Sequence, residues 1–524
     1  MLGKLLLLLL VVGPINGYKI LVYNPKMGHS HVNYMSQITR LLVEAGHDVY
    51  VLSSNIDHTL KDPYHVPGKI YYTKPSDIFS QHATDDGHIK RIWESSNDNV
   101  FSQVNVFRHF MEGTRAQGLT LIENEELAEY MTSQKFDSAI AETLYPYAFG
   151  LFKAWNINTT MIGSAGIMFD VFYPMFGIPF PTSYLPSSIY GATDKMSYIE
   201  RIFNIITHLH FTYTSGLNSR YITLEDVFDE KYGVGFYQGD KIMTNASFIF
   251  INTNPFLDIP SPKSPKMIEV SGIGIPKPKP VDKEFDEILN RREKTILISF
   301  GSVSKSIYMS QEMKDGIVET TKSFPDITFI WKYEMPEDGT GKGVDNLVLK
   351  KWVPQNDLLN DKRLTLFLTH GGMGSTNEVA FSNVPAIVVP IFADQKRNAK
   401  LLERLEIGIF VEKEKLSDSA YLRKKFLEIL NNEKYRINSI KTATMLKNKP
   451  IVSEELLIKH VEFACRFGQL PMLDLGSKDM GFIEYHNLDI YIPFFIVLMI
   501  LLYGVVKLIS ILLSRMFFKK LKKD

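Results

Sequence analysis

Short β-rich runs alternate with helical stretches along this chain, and the alternation starts twice. The first series begins with the run 19–24 (KILVYN), a helical pattern over 33–44 and a second run over 48–53 (DVYVLS). Such a βαβ unit begins a parallel, doubly wound sheet, because the crossover helix packs against the strands that it joins. The second series extends from the strand 295–300 (TILISF) to a short strand at 409–412. The sequence therefore predicts an α/β protein with two Rossmann-like sheets facing a cleft, where ligands bind beyond the carboxyl ends of the strands.

Proline spacing indicates where one series gives way to the other. Pro and Lys alternate over residues 276–281, which favours a stiff, extended connection. We therefore predict domains over 18–275 and 283–450, joined by a linker at 276–282, with further helices and a juxtamembrane segment over 451–489. Between the regular parts, residues 70–130 and 165–240 are rich in Phe, Tyr and Met, and we expect insertions there, some of them helical.

Both ends of the chain carry apolar runs typical of membrane targeting. Lys4, a run of about eight apolar residues and small residues near Gly17 have the layout of a cleaved signal peptide over 1–17. The apolar stretch 490–513 has the length of one transmembrane helix, and the basic tail 514–524 is expected in the cytosol by the positive-inside rule. A single-pass type I topology follows, with nearly all of the chain lumenal or extracellular.

Two further features bear on the compartment. The tail ends in Lys-Leu-Lys-Lys-Asp, which is similar to a dilysine retrieval signal for the endoplasmic reticulum, although it also fits a plain stop-transfer cluster. Sequons for N-glycosylation occur at Asn158 and Asn245, in agreement with lumenal exposure.

Charge and cysteine content exclude several classes of function. The chain has 58 basic and 58 acidic residues, so nothing indicates the basic face of a nucleic-acid-binding protein. Cys465 is the only cysteine, which excludes an intramolecular disulfide and thiolate zinc sites, and no His-Glu-x-x-His pattern occurs. We expect no metal ion and no cofactor.

The segment 352–395 carries the most specific pattern of the chain. Its residue types suit a nucleoside diphosphate sugar: glycines where a strand turns into a helix admit phosphate oxygens to backbone N–H groups, and the helix dipole favours the diphosphate. The flat face of a tryptophan can stack on a base, and carboxylates can accept hydrogen bonds from ribose and sugar hydroxyls. The residues concerned are Trp352, Gln355, His370, Gly372, Gly374, Ser375, Glu378, Asp394 and Gln395.

With this spacing, the residues resemble the signature of the UDP-glycosyltransferase family, the UDP-glucuronosyl- and UDP-glucosyltransferases of GT-B fold. The resemblance extends over the whole chain, including both apolar termini. It implies that domain 18–275 binds the acceptor and domain 283–450 the UDP-sugar. Many members have Asn in place of Gly374, so a phosphate contact there must come from the backbone.

The resemblance also implies a role for each residue of the signature. Trp352 and Gln355 would hold uracil and ribose, and Glu378 the ribose. His370, Gly372, Gly374 and Ser375 would bind the diphosphate, with Ser302 nearby. Asp394 and Gln395 would bind the sugar.

A base for the acceptor is expected after the first strand, in the sequence Gly28-His29-Ser30-His31. Histidine has a suitable pKa, and a carboxylate can fix its tautomer. By family register His31 is the base, with His29 as the competing candidate. Glu142 stands where the family usually has an orienting Asp; it would either orient His31 or be an ordinary carboxylate at the end of a strand.

The resemblance implies an inverting, metal-independent transfer of a glucuronosyl or glucosyl group from UDP-glucuronate or UDP-glucose to a small lipophilic acceptor. It places the enzyme in the membrane of the endoplasmic reticulum with lumenal catalytic domains. A catalytically silent type I membrane relative with a binding or scaffolding role is the alternative. The choice of sugar stays open, with Lys305 and Arg397 as candidate partners for a glucuronate carboxylate; the acceptor and a possible homo-oligomer also stay open.

Overall fold

Two parallel β-sheets organise the protein in a computed structural model that describes residues 17–63, 69–94, 100–214 and 220–521. The first sheet has the strand order β3-β2-β1-β4-β5-β6-β7, and the second has the order β10-β9-β8-β11-β12-β13. All neighbouring strands are parallel. Both sheets therefore reverse their winding direction at a central strand pair, β1/β4 and β8/β11, which is where α/β proteins bind ligands.

The strands of the first sheet are β1 Lys19–Tyr23, β2 Asp48–Ser54, β3 Ile70–Thr73, β4 Ser138–Glu142, β5 Thr160–Ser164, β6 Ile249–Ile251 and β7 Met267–Glu269. Those of the second are β8 Lys294–Ser299, β9 Ile327–Lys332, β10 Leu347–Lys350, β11 Leu364–Thr369, β12 Ala386–Val388 and β13 Gly408–Phe410.

The helices before the second sheet are α1 His29–Glu44, α2 Asp77–Thr84, α3 Asp86–Glu94, α4 Val100–Ile122, α5 Glu125–Ser133, α6 Tyr147–Ala154, α7 Tyr198–Thr214, α8 Arg220–Thr223, α9 Glu225–Tyr232, α10 Gly239–Thr244 and α11 Lys283–Leu289. Those that follow are α12 Gln311–Lys322, α13 Gln355–Leu359, α14 Met373–Phe381, α15 Gln395–Arg404, α16 Ser419–Leu430, α17 Glu433–Lys447, α18 Ser453–Phe467, α19 Phe482–Tyr485 and α20 Leu488–Leu521. Short 3₁₀ turns connect some of them, among them Pro174–Phe176.

The two parallel sheets predicted from the sequence are present, but two of their strands were not anticipated. Strand β3 lies in a segment expected to be irregular, and β6 has only three residues. Three residues of β3 are partly or fully exposed, as befits an edge strand, so the continuous apolar run of a buried parallel strand is missing there. No helix or strand interrupts residues 276–282, the predicted linker.

Aromatic side chains fill one face of the first sheet. The insertions between strands supply most of this aromatic cluster, which includes Tyr145, Phe149, Phe172, Phe176 and Phe211. The opposite face packs against α1 and against α18, which crosses back from the second half of the chain and buries Leu457 and Val461. Hence the first domain is completed by sequence that follows the second sheet.

The C-terminal helix α20 is long and apolar enough to cross a membrane. The candidate span is Leu488–Met516, somewhat longer than the predicted 490–513, and its apolar side chains are exposed. The predicted signal peptide lies almost entirely outside the described residues, as do the last three residues of the basic tail. Both sequon asparagines, Asn158 and Asn245, are exposed.

Candidate active site

The carboxyl ends of the two sheets face each other across a narrow cleft. Gly374 of α14 lies so close to the first turn of α1 that a Cβ at this position would be 3.5 Å from Ser30 Cβ. At Gly166, after β5, a Cβ would be 4.0 Å from Asp394 Oδ2. Side chains from both halves of the chain can therefore contact one bound molecule.

His31 and Glu142 form a hydrogen-bonded pair on the first-sheet side of the cleft. His31 stands in the first turn of α1 and Glu142 ends β4, and His31 Nδ1 lies 2.7 Å from Glu142 Oε1. The imidazole is 33 % exposed, whereas the carboxylate is 2 % exposed. Glu142 Oε1 also accepts a hydrogen bond from the Ala165 N–H at 3.4 Å. Because Nδ1 faces the carboxylate, Nε2 is the nitrogen available to an acceptor.

Two carboxylates raise the pKa of His31. Desolvation acts to lower this pKa, but the charge and hydrogen bond of Glu142, together with the charge of Asp394 across the cleft, outweigh it. Burial in turn raises the pKa of Asp394. Two weaker effects lower this pKa: the hydrogen bond that Asn398 Nδ2 donates to Asp394 Oδ2 at 2.9 Å, and the charge of His31. The imidazolium formed on proton abstraction would thus be stabilised from both sides of the cleft.

The competing histidine, His29, has different neighbours. Its ring lies 5.6 Å from the Trp352 ring in an edge-to-face arrangement. Burial lowers its pKa, and the cations of Lys332 and Lys61 lower it further. Of the two histidines, His31 is the one held by a carboxylate, while His29 belongs to the wall around Trp352.

Two glycines enclose the ring of His370, directly after β11. A Cβ at Gly301 would lie 2.7 Å from His370 Cε1, and one at Gly372 would lie 2.6 Å from His370 Nε2. Gly301 also has a backbone φ of 82°, a conformation that is energetically unfavourable for residues other than glycine. Burial and the nearby Lys332 cation lower the pKa of His370 to about 4, so the ring is neutral at pH 7 and donates through one nitrogen. His370 Nδ1 is buried and has no hydrogen-bond partner in the described residues, as expected of an atom that awaits a ligand.

Helix α14 begins beside this ring and opens towards the cleft. Gly372 is its N-cap and makes no side-chain cap hydrogen bond, so no side chain of its own satisfies the first N–H groups. Gly374 and Ser375 lie in this first turn. An anion placed there would receive backbone hydrogen bonds and the positive end of the helix dipole.

Trp352, Gln355 and Glu378 form the next part of the cleft. Gln355 Nε2 donates to Glu378 Oε2, and also to Ser375 Oγ at 3.2 Å. Burial raises the pKa of Glu378 to about 7, although the hydrogen bond from Gln355 lowers it. Trp352 is 52 % exposed, so part of its indole surface is open to solvent and could contact a base.

Asp394 and Gln395 occupy the turn into α15. Asp394 is the N-cap of this helix, and Gln395 Oε1 accepts hydrogen bonds from the N–H groups of Ile391 and Phe392 at 2.8 and 3.2 Å. Gln395 therefore shapes the loop that presents Asp394 to the cleft.

Of the two cations suggested for a sugar carboxylate, Arg397 is engaged elsewhere. Arg397 Nη2 donates to Asp258 Oδ1 at 2.7 Å in a buried pair that links the two halves of the chain. Lys305 lies on the loop after β8, where its backbone carbonyl accepts a hydrogen bond from Trp93. Ser302 follows Gly301 at the rim of the cleft, on the loop 301–306 after β8.

Lys332 is a site residue that was not singled out from the sequence. It ends β9, is buried, and donates from Nζ to Gly301 O at 2.7 Å and to Glu334 Oε1 at 3.1 Å. The ammonium lies 5.9 Å from the Trp352 ring and lowers the pKa of His370. Its only sequence signal is a lysine that closes the apolar run 327–331 at the carboxyl end of a strand.

Trp93 joins the first half of the chain to the loop 301–306. Its indole Nε1 donates to Lys305 O at 3.0 Å, and its ring packs edge-to-face on Phe300 at 5.4 Å. Trp93 and the adjacent Ile92 are nearly fully buried among the side chains of the second sheet. Helix α3 therefore holds this loop from across the cleft.

Comparison with known sequences agrees with this geometry. The model of the family described as UDP-glucuronosyl and UDP-glucosyl transferase matches residues 18–524. A Caenorhabditis briggsae protein assigned to the UDP-glucuronosyltransferases, ugt-47, is 28 % identical over 517 residues, which cover 95 % of this chain and 93 % of the relative. Mouse UDP-glucuronosyltransferase 1-2 is 26 % identical, with 93 % and 90 % covered.

Solved structures share the architecture. The calicheamicin glycosyltransferase CalG4 superposes with a TM-score of 0.58 at 13 % identity, over 87 % of this chain and all of CalG4 (100 %). Phytolacca americana UGT2, solved with UDP-2-fluoro-glucose and pterostilbene, has a TM-score of 0.56 at 15 % identity, over 86 % and 99 % of the two chains. At these identities the likeness establishes the two-domain GT-B fold.

Proposed function

The chain belongs to the UDP-glucuronosyl and UDP-glucosyl transferase family, and on this basis we propose that it moves a hexosyl group from a UDP-sugar to a hydroxyl of a small lipophilic acceptor. The observation that carries the proposal is the hydrogen-bonded pair of His31 and Glu142, which faces Asp394 across the cleft. Of the two sugars, glucuronate is the one we propose, because the relatives reported above are assigned to the glucuronosyltransferases.

In the proposed step, His31 Nε2 takes the proton of the acceptor hydroxyl while the oxygen of that hydroxyl attacks the anomeric carbon of the sugar. Glu142 keeps the other ring nitrogen protonated and stabilises the imidazolium. One displacement without a covalent intermediate inverts the anomeric configuration. Asp394 would hold sugar hydroxyls near the base.

UDP would leave against the second-sheet wall. The first N–H groups of α14, the neutral ring of His370 and the Lys332 ammonium surround the position where negative charge grows on the diphosphate. We propose that these groups suffice without a metal ion or a cofactor. Trp352, Gln355 and Glu378 would bind the uridine.

Two neighbours of the pair support a lipophilic acceptor. Met27, shortly before the helix α1 that carries His31, and Ala393, next to Asp394, are partly buried against the aromatic cluster. An acceptor at His31 would therefore contact apolar surface. We further propose that the two Rossmann-like domains lie in the lumen of the endoplasmic reticulum, with α20 crossing its membrane. Glycosylation at Asn158 and Asn245 would establish that the domains are on the lumenal side.

The test uses microsomes that contain the full chain, UDP-glucuronate or UDP-glucose, and a panel of simple phenols, with conjugates detected by mass. His31→Ala should abolish transfer, whereas His29→Ala, a matched change two residues away, should retain measurable turnover. Proton NMR of the product should show a β-anomer from the α-linked donor, and EDTA should leave the rate unchanged.

Three outcomes would contradict parts of the proposal. An α-linked product excludes inversion, and loss of activity in EDTA that Mg²⁺ restores excludes the metal-independent step. If the wild-type chain binds UDP but makes no conjugate with either donor, the protein is a catalytically silent relative.

A further inference from the structure

Helix α7 differs from an ordinary surface helix, because the face that it exposes to the outside is apolar. Eight large apolar side chains are between 37 and 81 % exposed on this one helix: Tyr198, Ile199, Ile202, Phe203, Ile205, Ile206, Leu209 and Tyr213. At 100° per residue they cover an arc of about 160°, the width of a face that packs against another apolar phase. His210 is the polar side chain within that arc.

Polar contacts fix this orientation. Asn204 is fully buried; its Nδ2 donates to the carbonyls of Thr182 and Leu185 at 2.8 and 2.9 Å, and its Oδ1 accepts from the Ser187 N–H at 2.7 Å. One turn further, His208 Nδ1 lies 2.8 Å from Asp170 Oδ2. Rotating the helix to bury its apolar face would leave these groups unsatisfied, so the apolar side is held outward.

The helix lies close to the segment that leads into α20. Ser477 Oγ donates to Gly177 O at 2.6 Å. Three residues later, the Phe180 ring stacks on His208 of α7, with 4.7 Å between ring centroids. The segment 177–180 thus contacts both α7 and Ser477, which precedes the candidate membrane span by eleven positions.

That connecting segment is itself apolar on its surface. Five of its side chains are 40 to 74 % exposed: Met472, Met480, Phe482, Ile483 and Tyr485. Exposed apolar side chains therefore occur on α7, on this segment and on α20. Exposed apolar surface of this extent marks a site covered by a membrane or a partner.

We propose that α7 lies in the surface of the same lipid bilayer that α20 crosses, as a second membrane contact of the protein. The contacts that connect α7 to the segment leading into α20 favour lipid over another protein as the occupant. The charges agree with this placement, because the exposed cations Lys195, just before the helix, and Arg201, beside the apolar arc, can reach lipid headgroups. Glu200, the acidic residue of the helix, lies outside the arc.

The placement has a consequence for the acceptor side of the cleft. Phe211, on the inner face of α7, packs against Phe169 within the aromatic cluster, with 6.0 Å between centroids. One helix therefore separates lipid from this cluster. A lipophilic molecule dissolved in the bilayer would have a short path to the first domain.

A depth measurement on the full chain tests the proposal. In a Cys465→Ala background, which removes the only native cysteine, single cysteines replace Ile206 or, as a matched control, Ile437, an equally exposed isoleucine of α17 (53 and 58 % exposed). Each is labelled with an environment-sensitive fluorophore and reconstituted into phosphatidylcholine vesicles. Quenching by nitroxide-labelled lipid is compared with quenching by aqueous iodide.

Label at Ile206 should be quenched by nitroxide lipid at least twofold more than label at Ile437, and iodide should show the reverse order. Equal access of iodide to both positions would overturn the proposal. So would energy transfer between labels at Ile206 without lipid quenching, which would assign the face to a second copy. Leu209→Cys, on the same arc, repeats the measurement if Ile206→Cys fails to fold. None of these readouts depends on glycosyl transfer, so the proposal can fail or hold independently of the proposed function.

Discussion

Replacing Glu142 by Gln tests the proposed acid–base pair most directly. The substitution keeps the size of the side chain and leaves an amide oxygen to accept from His31, but it removes the charge. The wild-type contact is short, 2.7 Å, and the carboxylate is almost fully buried, so solvent screens it little. A hydrogen bond to a charged group contributes about 1.5–3 kcal/mol, which corresponds to roughly 10- to 150-fold in rate. We expect kcat/KM to fall by a factor in that range.

The pH profile gives a second, independent readout. His31 acts as a base only when neutral, so kcat/KM rises with pH through its pKa. In the wild type, Glu142 raises this pKa against the lowering effect of desolvation. In Glu142→Gln the desolvation remains and the charge does not, so the acidic limb of the profile should move to lower pH while the plateau falls. Glu142→Asp, which restores the charge on a shorter side chain, should return both towards the wild type.

The assay is the initial rate of conjugate formation from pH 5 to 9 at subsaturating acceptor. A plateau within threefold of the wild type, with an unmoved acidic limb, would refute the pair and leave Glu142 as an ordinary strand-end carboxylate. A lower plateau with an unmoved limb would point to structural damage instead.

Three further outcomes follow from the donor side of the cleft. The pKa of about 7 at Glu378 predicts that UDP binds more tightly as pH rises from 6 to 8, because a ribose hydroxyl donates best to the ionised carboxylate; calorimetry on Glu378→Gln should show that dependence lost. Gly301→Ala should weaken UDP binding at least tenfold because its Cβ would collide with His370, while Gly339→Ala, also at positive φ (93°) but with open space around it, should cost about 1 kcal/mol of stability and no affinity. Trp93→Phe removes one hydrogen bond to the loop 301–306, worth about 0.5–1.5 kcal/mol, and should raise the KM for the UDP-sugar two- to tenfold with little change in kcat.

Each of these has a result that would contradict it. A pH dependence of UDP binding that survives in Glu378→Gln would assign the titration to another group. Equal affinity losses in the two glycine variants would make backbone strain, rather than the imidazole, the cause. A Trp93→Phe variant that changes kcat alone would separate helix α3 from donor binding.

Signals that were local in sequence carry the prediction of the donor site. The segment 352–395 holds the predicted donor residues within 44 positions, because two consecutive strand-to-helix turns of one sheet supply most of them. The pairing of His31 with Glu142, 111 residues apart, was expected from the family resemblance, and the adjoining strands β1 and β4 bring the two side chains together. The sequence left open whether Glu142 meets His31 or is an ordinary carboxylate at a strand end, and the contact between the two side chains answers that question.

Other residues gave little sequence signal because their roles depend on distant contacts. Lys332 looks like a solvated lysine at the end of a strand until the sheet brings it beside His370 and Trp352. Trp93 lies in a segment without clear periodicity, and its partner carbonyl is 212 residues away. The outward apolar face of α7 could be read as ordinary core from composition, since the same apolar residues serve a core or a lipid surface.

The sequence by itself determined the α/β class, the two sheets and the apolar C-terminal helix, because strand and helix periodicity is a property of neighbouring positions. Only the tertiary structure decided which histidine meets a carboxylate, which glycines enclose His370, how α18 completes the first domain and which side of α7 faces outward. Those facts arise from packing between segments far apart in the chain, where burial and a few polar contacts select one arrangement among several that the local pattern allows.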